Sequence, residues 1–459
     1  MSEAQFEKLE SIVVDLMRQA KVPGLSISVV IDGKPAYAKG FGARNLEKNL
    51  PMTPDTLWGI ASISKSFCAM AVMQLVENGK IDLNAPVRKY INFKLGKKGK
   101  PITIHHLLCH SSGIPELDAT TAATVKEAFI PMSSEEDFLR FVNKANTEIF
   151  SDPGEMFMYN NDMYTCLGLV VQKVAKMRYE DYVKKNILKP LQMNRSTFIK
   201  EEFEKDDNII TGYVLSKDGK SMELKPIKND RLDYACGGLY SSVRELQNYM
   251  IMLMNGGEFN GHQLLEKSSI EKMWTPYIKP PAAYAHGDGG YGYGWSIEKE
   301  FFGYKLVQHG GNIPTSGGFL AMVPEKKLGI ALGQIPNPSI IHEAIVRGLL
   351  AILLGEDMDK AAPIIGIQKK LERIIGKYKT YGMVQGEISM EDGILYLTLI
   401  FEGESKPVKL PLLIKDIEKL KFSIPALLPE HEMDVQIITD EKTGKVHMQI
   451  DRYYFHKIA

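Results

Sequence analysis

Three short segments bring together residue types that could carry out acyl transfer. In Ser62-Ile63-Ser64-Lys65 a hydroxyl and an amine stand three positions apart. On a helix that spacing puts both on one face, where the amine can take the proton that otherwise keeps a serine hydroxyl a poor nucleophile. The helix N-terminus would add positive dipole charge beside Ser62, and burial would keep Lys65 poised for proton transfer. Spacing alone selects little, because a chain of this composition yields about two Ser-x-x-Lys matches by chance. This one contains three. Ser269-Ile270-Glu271-Lys272 reads as a helix N-cap with ordinary first-turn residues, and Ser296-Ile297-Glu298-Lys299 falls in a strand pattern whose period of two separates the faces. Only Ser62 and Lys65 meet the geometric requirement.

The second segment is Tyr159-Asn160-Asn161. A phenol beside an amine can act as a general base, and an asparagine amide can hold a substrate amide. Read locally, the tripeptide equally fits a turn before a helix with Asn161 as its cap. The third is Gln308-His309-Gly310-Gly311-Asn312, at the end of a strand-like run. Paired glycines let a ligand backbone come close, and the next N–H can donate to an oxyanion. A glycine bulge accounts for the same residues.

Other features are weaker. His105, His106, Cys109 and His110 place histidines at i and i+4, but the glutamate of a metalloprotease helix is absent, so no metal is expected. Lys442-Thr443-Gly444 sits between strand-like runs and reads as a hairpin turn. The glycine-rich stretch from His286 to Trp295 lacks the context of a phosphate loop. It is expected to form a flexible rim, with Tyr291, Tyr293 and Trp295 either lining an apolar pocket or packing on a strand. Met70 and Met73 are expected to fill core space. No cofactor is implied.

The elements around these residues follow from periodicity. At 459 residues the chain exceeds one core, so two domains are expected. An amphipathic helix, without the basic start and apolar run of a signal peptide, opens the chain. Residues 24–45 read as two strands joined at Asp32-Gly33, and residues 56–81 carry a buried helix ending at Asn78-Gly79. Helices dominate residues 101–250, and strands return over 292–335 before an apolar helix near 340–356. The fold class is therefore α+β, an antiparallel sheet flanked by helices with an all-helical subdomain, over residues 1–355. Residues 356–370 look like a connection. Over 371–459 short strands separated by Glu391-Asp392-Gly393, 402–405, Pro429-Glu430 and 441–445 suggest a small all-β antiparallel barrel.

Lys+Arg and Asp+Glu both number 56, so no global field favours nucleic acid or anionic lipid. Apolar runs fall short of the roughly 20 residues a membrane span needs. Cys68, Cys109, Cys166 and Cys236 lie in apolar segments, which suits reduced buried thiols and a cytoplasmic location.

Taken in order, SISK, YNN and HGG resemble the active-site elements of serine β-lactamases and penicillin-binding proteins, especially class C enzymes and their peptidase and esterase relatives. Residues 102–115, 153–171, 235–250, 291–295 and 309–332 extend the resemblance, which covers about residues 5–355. It implies a β-lactamase/transpeptidase-like domain in which Ser62 forms the acyl-enzyme. Lys65 and Tyr159 would exchange its proton, and Asn161 would bind the substrate amide. The N–H groups of Ser62 and Asn312 would form the oxyanion hole, on the strand carrying His309, Gly310 and Gly311. His309 stands where resistance enzymes carry the lysine of Lys-Thr-Gly, so substrates without a free carboxylate are expected. The resemblance thus implies a peptidase or amidohydrolase on short peptides, with D-residues among them. A carboxylesterase or weak β-lactamase, and a catalytically inactive penicillin-binding scaffold, are the alternatives. The C-terminal barrel resembles the lipocalin-like barrels of some such peptidases; restricting access, mediating homo-oligomer assembly and binding an apolar ligand all remain open for it.

Overall fold

The computed structural model describes residues 3–119, 132, 134–216, 221–227, 229–281, 287–335, 341–380, 384–391, 394–401, 406–425, 432–440, 442–451 and 453–458. They divide into two units, Met1–Met358 and Asp359–Ala459. His286 and the turn residues at 392–393, 402–405, 429–430 and 441 lie outside the described residues.

The first unit is built on an eight-stranded antiparallel sheet. Its order is Gly290–Tyr291, Ser296–Phe301, Tyr304–Ile313, Ser316–Val323, Leu328–Ile335, Gly24–Ile31, Lys34–Asn45, Leu50–Pro51. Distant segments therefore complete one sheet, as the two clusters of strand-like runs predict. Asp32 and Gly33, both at positive φ, turn the first hairpin. Ser316–Val323 and Leu328–Ile335 are buried at every position, so both faces of the sheet are covered. On one face Trp58 lies against Gly318 and Gly333, and Met250, on the helix Val243–Met254, lies against Gly329. On the other, Phe319 meets His342 of the helix Ile341–Leu354.

The helix Ser64–Glu77 is buried from Ser64 through Leu75. Its run of Ala, Met, Leu and Val, hydrophobic all round, suits such a position. It ends where Gly79, at positive φ, follows the C-cap Asn78. It packs on the helix Asn161–Ala175, and this contact joins the first two segments of interest.

In the second unit nine strands run antiparallel from Val408–Pro411 at one edge to Leu413–Asp416 at the other. Only Leu412 separates these two edge strands along the chain, so the sheet must roll until its edges meet: a nearly closed barrel. Ile388, Leu397, Phe422, Val435, Met448 and Phe455 fill its interior. The stretch expected as a connection is largely helical. Met358–Ala361 and Pro363–Ile374 are helices, the second with proline in its first turn, and Ile374 joins the barrel core.

Candidate functional site

Ser62 sits in a tight 3-10 turn, Ala61–Ile63, immediately before the helix Ser64–Glu77. Ala61 takes a left-handed conformation at φ 47°, a costly geometry for a residue with a Cβ. Neighbouring chain holds it in place: Ile60 N–H donates to Leu239 O at 2.9 Å, and Leu239 N–H donates to Ser64 Oγ at 3.2 Å. Lys65, one turn on, is fully buried. Its Nζ donates to Ser62 Oγ at 3.1 Å, to Asn161 Oδ1 at 2.6 Å and to Cys236 O at 2.7 Å. Two of these neighbours are pure acceptors, and the third is a hydroxyl. Once it has passed on one proton, the amine keeps two N–H groups for the acceptors and gains a lone pair for the hydroxyl proton. The arrangement can therefore draw a proton from Ser62.

Asn160, rather than Asn161, caps the following helix. Its Oδ1 accepts from Met163 N–H at 2.9 Å, and its Nδ2 donates to Pro115 O at 2.6 Å. Asn161 therefore occupies the first helical position, with its N–H donating to Glu116 Oε2 at 2.6 Å and its side chain turned to Lys65. The Tyr159 ring centroid lies 4.8 Å from Lys65 Nζ and 4.2 Å from the buried His110 ring. The phenol ring and the amide thus both lie against the amine.

The strand Tyr304–Ile313 meets the serine turn at Gly311, where a Cβ would lie 2.1 Å from Ile60 O. Close approach of two backbones, not a bulge, accounts for this glycine; pairing with Ser316–Val323 runs unbroken through it. On its other side the strand pairs with Ser296–Phe301 only as far as Gln308. Among the described residues, His309–Ile313 is thus an open edge. His309 is spoken for at both nitrogens: Nε2 lies 2.8 Å from the Tyr291 hydroxyl and Nδ1 2.6 Å from Gly310 O. The carbonyl can only accept, so Nδ1 carries the hydrogen and Nε2 accepts from Tyr291. Burial, helped by the Lys65 charge, pushes the imidazole down to about 3, and it stays neutral.

A cavity of about 400 Å³ adjoins Ser62, Asn161 and Asn312. Sequence reasoning missed two of its walls. The Cys236 carbonyl that holds Lys65 is a backbone group with no residue-type signal. Asp233 is a partly buried carboxyl whose pKa burial and nearby Asp230 push up to about 8. Its signal lay only in being two residues ahead of the 235–250 stretch.

The remaining features resolve structurally. Tyr291, Tyr293 and Trp295 are core residues, with Tyr293 bonded to His105 Nδ1 at 2.8 Å; the expected rim is, from Gly290 to Trp295, buried. His106 completes a capping box with Thr103, His110 Nδ1 accepts from Asn160 N–H, and Cys109 Sγ donates to His105 O. Ser269 lies inside the helix Lys267–Met273, whose N-cap is Glu266, and is not itself a cap. The next serine, Ser296, opens a strand. Lys442-Thr443-Gly444 forms a turn on Asp440, whose Oδ1 accepts from Lys442 N–H and Thr443 N–H. All four cysteines are buried and unbridged. No helix among the described residues is long and apolar enough to cross a membrane.

A family model described as Beta-lactamase matches residues 9–333, and one described as the Pab87 octamerisation domain matches residues 358–456. Protein flp of Staphylococcus aureus strain MW2 is 28% identical over 331 residues, 71% of this chain and 62% of the relative, so the chain spans less than two thirds of that relative's length. The octameric penicillin-binding protein homologue from Pyrococcus abyssi matches with a TM-score of 0.85 at 39% identity, covering 98% of this chain and 100% of that one. A penicillin-binding protein from Bacillus halodurans matches at 0.60 and 25%, covering 74% and 98%. The chain belongs to the beta-lactamase family and carries its serine-hydrolase fold, with penicillin-binding-protein homologues among its relatives.

Proposed function

We propose that the protein hydrolyses amide bonds in short peptides, including peptides with D-residues, through an acyl-enzyme on Ser62. The observation that carries this reading is the triple engagement of Lys65 with Ser62 Oγ, Asn161 Oδ1 and Cys236 O. Lys65, with Tyr159 beside it, takes the Ser62 proton as Oγ attacks the carbonyl carbon. The carbonyl oxygen becomes an oxyanion facing the N–H groups of Ser62 and Asn312; losing one such donor typically costs about 3 kcal/mol of transition-state stabilisation. The leaving nitrogen receives the proton as the C–N bond breaks. Water then attacks the ester, giving its proton back through the same base and freeing the acid and Ser62.

The open edge at His309–Ile313 favours amide substrates, which can hydrogen-bond along it as a short strand. His309 disfavours β-lactams and carboxypeptidase substrates, because a neutral imidazole with both nitrogens engaged offers no cation to a carboxylate. Asn161, with Oδ1 given to Lys65, retains Nδ2 as a donor for a substrate carbonyl. In Ser62→Ala a fluorophosphonate should leave no adduct by intact-mass spectrometry; undiminished labelling would sink the assignment. Rates on a p-nitrophenyl ester, a D-aminoacyl anilide and a chromogenic cephalosporin separate the amidohydrolase from a carboxylesterase, a weak β-lactamase and a non-catalytic scaffold.

We infer further that the barrel assembles the protein into a homo-oligomer, as an octamerisation domain does. Supporting this, of the 16 large apolar side chains exposed among the described residues, 11 lie within 359–459, Ile394, Leu413, Ile414 and Tyr453 among them. Native mass spectrometry of the full chain tests it; a monomer at micromolar concentration would overturn it.

A further inference from the structure

We propose that the cavity beside Ser62 selects substrates bearing a free ammonium group, with Asp233 as the carboxylate that receives it. The inference rests on the hydrolase reading of Ser62 and names the substrate class of that site.

Position comes first. Asp233 closes the short turn Arg231–Asp233, which Asp230 caps through Leu232 N–H and which Thr165 Oγ1 anchors by donating to Leu232 O at 2.8 Å. The Asp233 carbonyl accepts from Gly237 N–H at 2.7 Å and Cys236 N–H at 3.1 Å. Those bonds shape the loop that presents Cys236 O to Lys65. Asp233 is thus tied to the reacting serine through the backbone of this loop and the Lys65 side chain that its Cys236 carbonyl holds. It lines the same cavity as Ser62 and Asn161 and is the only carboxylate among the described lining residues.

Charge comes second. No lysine or arginine pairs with the Asp233 carboxyl among the described residues. Its charged neighbours are Asp230, which repels a second negative charge, and Lys65, which is committed to Ser62, Asn161 and Cys236. Lys225, on an exposed stretch, also lines the cavity but forms no ion pair with it. The carboxyl therefore suffers desolvation with only the already committed Lys65 charge to offset it, and its pKa is held near 8. One backbone N–H, that of Asp230, bonds to it. A carboxylate has about four acceptor positions, so capacity remains for a ligand. A merely structural role would be met as well by asparagine, which carries no such penalty. A substrate ammonium supplies the missing charge: it pairs with the carboxylate, and the carboxyl proton passes to solvent.

The test uses the full chain and does not require turnover. The rate of fluorophosphonate labelling of Ser62 is measured against D- and L-alanine p-nitroanilide, each with its amine free or N-acetylated. In the wild type the free amine of at least one enantiomer should protect Ser62 at a concentration at least about ten-fold below its acetylated form. Asp233→Asn should erase that preference, with thermal unfolding confirming that the variant folds. Equal or better protection by the acetylated forms, protection by neither, or a preference that persists in Asp233→Asn would each overturn the proposal. The wild-type comparison stands even if the variant fails to fold. Wild-type protein that takes no label at Ser62 would overturn the hydrolase reading instead.

Discussion

Gly311→Ala is the sharpest perturbation the geometry offers. A methyl at 311 would lie 2.1 Å from the Ile60 carbonyl oxygen, whereas real Cβ atoms essentially never come nearer than 3.0 Å. The strand and the serine turn must therefore part by about 1 Å. Ile60 is followed by Ala61, already held in a left-handed conformation, and then by Ser62, so the displacement passes to the hydroxyl with little to absorb it. A misplacement of about 1 Å costs roughly 100-fold in rate, or about 2.7 kcal/mol of activation free energy. Gly310→Ala is the control. Its Cβ would face the opposite side of the sheet and meet the Phe319 ring at 3.3 Å, a contact that a small ring movement relieves; its loss should stay within roughly ten-fold. The assay is the second-order rate of fluorophosphonate labelling by intact mass, with thermal unfolding in parallel. Labelling of Gly311→Ala within three-fold of wild type (roughly 0.6 kcal/mol), or equal damage in both variants, would refute the reasoning.

His342 is buried and neutral, its imidazole pushed by burial down to about 4 against 6.5 in the unfolded chain. The unfolded state binds the extra proton below 6.5, so this residue's share of stability is lost as pH falls through that range; Asp233, raised by burial, acts in the opposite sense. Replacing His342 by Leu should therefore remove about 2 kcal/mol of the acid destabilisation between about pH 7.5 and pH 5, read from urea midpoints of both proteins. An unchanged pH slope would count against it. Arg347 and Glu298 form a buried pair at 2.7 Å, so Arg347→Ala should cost roughly 3–5 kcal/mol of stability and leave Glu298 uncompensated; a drop below about 1 kcal/mol in chemical denaturation would contradict this. Asn160→Ala removes a helix cap and the donor to two carbonyls, at Ile114 and Pro115. It should cost about 2–3 kcal/mol and slow Ser62 labelling, whereas undisturbed labelling with lowered stability would show that the cap does not position Asn161.

What the sequence makes legible is what side-chain type and period encode. Ser62 and Lys65 are readable because the residues after them form a continuous helical apolar run. Asp32-Gly33 is readable because the turn type demands positive φ at both residues. Tyr159 and Asn161 lie against Lys65 and Gly311 against Ile60, for reasons that differ from the local ones. Asn161 is free because the neighbouring asparagine takes the cap, and Gly311 is needed because a carbonyl lies against it. Backbone roles stay hidden. Nothing in the identity of Cys236 announces that its carbonyl holds a lysine. Environment stays hidden too: Asp233 matters through where the 3-10 turn puts it, and His309 is neutral because folding buries it beside Tyr291. The helical character of the segment 356–370 stays hidden because Pro363 opens a helix as readily as it interrupts one.

The buried thiols give the molecule a built-in reporter of its own breathing. Cys68 lies on the serine-bearing helix, Cys109 beside the short histidine helix, Cys166 on the helix of Asn161 and Cys236 on the loop that holds Lys65. Burial pushes the first two up to about 12 and about 11, and raises the others as well. An alkylating reagent therefore meets no thiolate until a segment opens. Mapping which sulfur is modified first would rank these four segments by how often each one comes apart.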